Sequence, residues 1–141
     1  MSFAKVFLRT VILLLAYIWA SPYTLIGLII GLAGICTGGR GQVRGRILEF
    51  HGGFAKWFVV HLPFGQATLA MTLGHTILGQ TDASLDIARD HEMVHVRQFE
   101  RWGPLFGPAY LACSLFLWMR GGRAYRDNPF EREAYRLAGG D

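Results

Sequence analysis

Residues 88–102 read ARDHEMVHVRQFERW, and the reading of the whole chain turns on this stretch. His91 and His95 are one helical turn apart, so on a helix both imidazoles leave the same face and can reach one Zn2+. Glu92 stands beside them in the place of a general base. The flanks predict that helix over 82–102. Asp82 or Ser84 can cap its start, Asp86 and Asp90 fall in its early turns, Arg97 and Arg101 in its last, and Gly103-Pro104 ends it. Ala88, His91, Glu92, His95, Phe99 and Trp102 follow one stripe, which places the motif on the buried face. Buried there, two histidines and a glutamate need either a metal or one another as partners.

A zinc site that is to be catalytic needs a third protein ligand and an open fourth position. The best donor lies in 127–135, DNPFEREAY, where Asn128 reads as an N-cap and Pro129 as the first residue of another helix. Glu131 falls in its early turns and is the expected third ligand. A capping-box glutamate bonded back to the backbone is the competing role for that position. Glu133 is the weaker candidate, lying off the face of Glu131, Ala134, Tyr135 and Ala138 and within reach of Arg132 or Arg136.

Outside the motif the chain is apolar. Of its 141 residues 52% are hydrophobic and 17% charged, against about 25% charged in an ordinary soluble domain, which excludes a disordered chain and points to a membrane-associated one. The length suits one domain over 1–141. No charge occurs from Thr10 to Gly39. Thirty helical residues reach about 45 Å, too long for one upright pass of a core about 30 Å thick and too short for two. Ser21-Pro22 offers a cap and a break, so a helical hairpin over 5–36 is expected, with Lys5 and Arg40 both cytoplasmic; one tilted, kinked span is the alternative. The apolar run continues past Ala20, which argues against a cleavable signal peptide.

The second apolar segment, Leu105–Met119, is short for a span and carries Pro108. If Glu131 is to meet His91 and His95, this segment cannot cross: it must double back, lie in the interface or pack as a partly inserted helix beside the metal helix, using Gly103-Pro104 and Gly121-Gly122 as turns. Between the apolar segments, 43–80 reads as a β region. RILEF (46–50) and a strand over 67–78 are separated by a Gly52-Gly53 turn and the aromatic stretch 54–64, while 37–46 is expected to be a solvated glycine and arginine connector. Cys36 and Cys113 lie in apolar surroundings and predict no disulfide. The fold class is α+β, with the metal-site helices over 82–138.

HEMVH followed by Glu131 and Ala134 in an E-x-x-A arrangement resembles the gluzincin metallopeptidases, especially membrane zinc endopeptidases of the CAAX-prenyl-protease and heat-shock-protease type. Residues 91–110 and 125–135 also resemble a family of uncharacterised small bacterial membrane proteins. The resemblance covers 82–138. It implies a membrane-associated zincin-like domain in the bacterial inner membrane, with its site toward the cytoplasm, Zn2+ held by His91, His95 and Glu131, and Glu92 as the base. It departs where those peptidases carry an aspartate after the alanine; Tyr135 stands there, leaving Asp90 or Asp127 to support the ligands. By analogy with zincins, the 67–78 strand would hold an extended peptide substrate, with His75, Tyr135 or Tyr125 steadying an oxyanion.

The expected function is a zinc-dependent membrane peptidase. The rival is a non-catalytic subunit of a larger membrane complex, respiratory or photosynthetic, in which the same residues hold a structural metal. Membrane lipid is a partner in both. Nucleic acid is not expected as a partner, because the arginines are scattered and bracket apolar segments.

Overall fold

A computed structural model describes residues 3–63 and 67–139. In chain order it comprises α1 (Phe3–Cys36), β1 (Arg40–Arg44), β2 (Ile47–His51), α2 (Gly53–Val60), β3 (Ala70–Leu73), β4 (Thr76–Gly79), α3 (Asp82–Trp102), a 3-10 turn (Gly103–Leu105), α4 (Phe106–Met119) and α5 (Pro129–Gly139). The fold is α+β. Its four strands lie in the order β1-β2-β4-β3, with β2 and β4 parallel and the outer pairs antiparallel. The chain passes from β2 to β4 through α2 and β3, the kind of crossover that a parallel pair requires.

Alternation along the strands builds a core on both faces of the sheet. Phe50, Leu73 and Leu78 meet Ile30 of α1 and Val59 of α2, whereas Ile47, Ala70 and Ile77 meet Leu85 and Val96 of α3. A third cluster, Ala20, Phe99, Phe106 and Phe130, joins α1, α3, α4 and α5 below the candidate site.

The N-terminal hairpin is corrected: α1 is one helix of 34 residues, with Pro22 inside it. Proline takes away the N–H that would have bonded the Ile18 carbonyl. The Ser21 hydroxyl donates to that same carbonyl instead, at 2.7 Å, so the pair that looks like a break repairs its own damage. The ends of α1 therefore stand about 50 Å apart, and Lys5 and Arg40 are not neighbours. By length and composition α1 can cross a membrane. Its C-terminal half lies against the sheet through Gly27 and Gly31, where a Cβ would overlap Thr76 and Phe50, and against α2 at Gly34, where a Cβ would press on Ala55.

Three further expectations change. The 37–46 connector contains a strand, β1, whose Gln42 pairs across to Glu49. The aromatic stretch forms α2, and Phe64 lies outside the described residues. The 67–78 strand is two strands, folded back at Gly74-His75, where Gly74 has φ +63°. That turn needs glycine and puts His75 at a hairpin tip.

Candidate metal centre

The local chemistry of α3 and α5 fixes the site. The cap of α3 is Thr81, one residue before Asp82, the earlier of the two expected caps. Thr81 Oγ1 accepts from the Ser84 N–H (3.1 Å) and Ser84 Oγ from the Thr81 N–H (2.8 Å), a reciprocal capping box. Helix α5 starts as its sequence suggests: Asn128 Oδ1 accepts from the Phe130 N–H at 3.0 Å. The fully buried Asn128 also donates to the Tyr110 carbonyl and Ser114 Oγ of α4. This frees the Glu131 side chain from capping, and it turns toward α3.

His91 Nε2 lies 3.1 Å from Glu131 Oε2 and 3.1 Å from His95 Nε2, and His95 Nε2 lies 3.3 Å from Glu131 Oε1. Donors bound to one zinc at 2.0–2.1 Å and set at the tetrahedral angle stand about 3.3 Å apart. The two histidines meet different oxygens of Glu131; with one ligand atom taken from each residue, the three donors lie within 4.8 Å of one another, and the donor set of two imidazoles and a carboxylate suits zinc.

The support for this triangle is not an aspartate. Asp127 pairs with Arg123 at 2.9 Å, and Asp90 is exposed on α3. Gln98, 1% exposed, takes the role. Its Nε2 donates to the Phe130 carbonyl (3.0 Å) and to Glu133 Oε2 (2.7 Å), which leaves Oε1 to accept from His95 Nδ1–H at 2.8 Å. That bond fixes the His95 tautomer and turns its Nε2 lone pair to the triangle. Glu133 is thereby placed behind the site, held by Gln98 and Arg101 rather than facing a metal. Replacing Gln98 by leucine is expected to weaken zinc binding about 10–100-fold in a chelator competition. Unchanged affinity would remove Gln98 from the support.

With protons as the only counter-ions, the triangle is an ion pair. Burial works against a charged His95, but its hydrogen bond to Glu131 and the charges of Glu92 and Glu131 raise it to about 9. Burial likewise works against a charged Glu131, which the hydrogen bonds from His91 and His95 bring down to about 2. The raised histidine stabilises the fold fully below its ordinary value of 6.5 and ceases to do so as pH climbs through about 9; the depressed carboxylate stabilises above 4.5 and fails as pH drops through about 2. A cation entering at pH 7 must displace the His95 proton. Calorimetry in buffers of different ionisation enthalpy is expected to show about one proton released per zinc bound; no release would mean that His95 is already neutral.

His95 and Glu131, but not His91, line a cleft of about 780 Å3. Glu92 lines it and accepts from Thr72 Oγ1 at 2.7 Å, tying α3 to the edge strand β3. The Leu69 carbonyl accepts from the Gln80 N–H at 3.2 Å, so Met71 and Leu73 are the positions bonded to β4. The backbone N–H and C=O of Ala70 and Thr72 therefore point to the open edge. Across from β3 stands α4, with Phe106, Tyr110 and Leu111 facing the cleft.

Comparison with family models, curated proteins and solved structures finds no match.

His75 is not brought to the triangle. Its Nε2 lies 3.0 Å from Glu100 Oε1, its ring stacks on Tyr17, and Arg46 completes the group at 2.8 Å from Glu100. The cluster ties α1 to α3. The Tyr135 ring is tilted against His91 at 4.6 Å, half-exposed and outside the cleft lining. Tyr110 donates to Glu131 Oε1 at 2.8 Å. Tyr125 lines the cleft, and burial together with the Glu131 charge holds its phenol well above the ordinary tyrosine range, so it remains a proton donor. Of the groups the sequence missed, Gln98 was findable, since it continues the His91 and His95 stripe. Tyr110 and Thr72 carry no local signal.

Proposed function

We propose that the protein is a membrane-associated zinc-dependent peptidase. One observation carries this reading: one ligand atom each from His91, His95 and Glu131 lies within 4.8 Å of the others beside Glu92, next to an open strand edge. Zinc held there would supply Lewis-acid activation of a scissile carbonyl and of water. Glu92 takes the proton from the attacking water and returns it to the leaving nitrogen. The Ala70 and Thr72 backbone groups pair with an extended substrate as an added strand, and Tyr125 donates toward the developing oxyanion. Helix α1 anchors the chain in a membrane. Arg40, Arg44 and Arg46 follow the apolar run, against Lys5 and Arg9 before it, a bias that supports a site on the cytoplasmic side by the positive-inside rule.

Metal analysis of the detergent-purified full chain, with and without His91→Ala, tests the reading together with cleavage of a quenched fluorescent peptide library. Near-stoichiometric zinc, lost in the variant together with chelator-sensitive cleavage, supports it. Zinc without cleavage favours a structural metal in a non-catalytic membrane subunit, and absence of zinc ends both readings.

A further inference from the structure

Helix α4 is apolar around its whole circumference, from Phe106 to Met119, without a charge. Such a helix is expected to be buried on every side, yet the fold covers only its first turns and its cleft-facing side. Trp118 and Met119 are 68% and 72% exposed, and Leu115 and Phe116 more than half. Directly after it come Arg120, Arg123 and Arg126, with only Asp127 to offset them, and Asp127 is engaged by Arg123. The Arg120 guanidinium sits over the Phe116 ring at 4.6 Å.

Geometry forbids a crossing. Fourteen residues rise about 21 Å, less than the hydrocarbon core of about 30 Å. The chain then reverses. Gly122 donates to the Leu117 carbonyl at 2.8 Å, Gly121 turns at φ +75°, and Asn128 returns to Ser114, midway along α4.

We infer that α4 is a half-inserted helix, its outer face sunk into one leaflet of an anionic bilayer whose head groups meet Arg120, Arg123 and Arg126. The net positive charge of the turn selects an anionic lipid surface over a protein partner as the occupant, because the arginines stand where the apolar face ends, at head-group depth. The inference rests on the membrane part of the reading above and is independent of its chemistry.

The test uses the full chain with Cys36 and Cys113 replaced by serine, carrying one nitroxide at residue 12, 86, 115 or 118. It is reconstituted in mixed phosphatidylcholine–phosphatidylglycerol vesicles and in pure phosphatidylcholine. Oxygen reports lipid exposure, and a water-soluble nickel chelate reports aqueous exposure. The oxygen-to-nickel ratio is expected to be several-fold higher at 115 and 118 than at 86, and to fall in pure phosphatidylcholine or when the three arginines become glutamine. A nickel-accessible position 115, or one shielded from both reagents with spin–spin broadening from a second copy, overturns the inference. So does a ratio indifferent to anionic lipid and to the arginines. Residue 12 on α1 separates the two readings: if it too is nickel-accessible, the membrane reading itself has failed, whereas lipid exposure at 12 alone defeats only the placement of α4.

Discussion

Glu92→Gln is expected to cut peptide cleavage by about 10²–10⁴-fold, the range a positioned proton acceptor supplies, while bound zinc stays unchanged. Glutamine keeps the shape of the side chain, and its carbonyl oxygen can still accept from Thr72 Oγ1, the bond that ties α3 to β3. What it loses is the capacity to take a proton. Because Glu92 stands outside the triangle of His91, His95 and Glu131, the metal should not register the change. The measurement is turnover on a quenched peptide beside zinc content per chain. Undiminished turnover would remove Glu92 from the mechanism, and zinc lost along with turnover would place it among the ligands.

The second large effect concerns the seat of α1. Gly27 and Gly31 face Thr76 and Phe50 so closely that a single added carbon overlaps them. Thr76 is fully buried and Phe50 nearly so, so neither can swing aside into solvent. Overpacking of this kind costs about 1–3 kcal/mol at each site, so replacing both glycines by valine is expected to cost about 2–6 kcal/mol where the two sites add. In thermal unfolding this appears as a drop of several degrees or more. Ile29→Ala, on the exposed side of α1, serves as the control and should move the transition little. Equal behaviour of the two variants would mean that α1 does not lie on the sheet.

How far the sequence reveals this protein depends on the range of the forces involved. Helices α3 and α5 are written locally: capping residues, terminal charges and the His91 to Trp102 stripe act within a few turns, and they specify the HExxH face and the start of α5. The approach of Glu131 to His91 was expected from chemistry, since the donor set needed a third member. The hairpin misreading at Ser21-Pro22 has a local cause as well. Ser21 has two uses, as a cap or as a bridge to the carbonyl that proline frees, and only the packing of Gly27 and Gly31 on the sheet and of Gly34 on α2 decides between them. Strand β1 escaped because a polar edge strand paired on one side needs no apolar alternation. The displacement of His75 to Glu100 follows from a hairpin turn at Gly74, which one continuous strand pattern concealed. Gln98 offered a signal in its spacing, but its meaning depends on Phe130 and Glu133, more than thirty residues away.

The contact between His91 and Glu131 joins positions 40 residues apart and works as a clasp, with α4 and its reversing turn hanging from it as a closed bight of chain. The entropy of closing such a bight grows only with the logarithm of its length, so doubling it costs about 0.6 kcal/mol. Residues inserted at Gly121-Gly122 would thus barely load the clasp. Cleft depth becomes a dimension open to evolution or design, adjustable at the turn while the three donors keep their spacing.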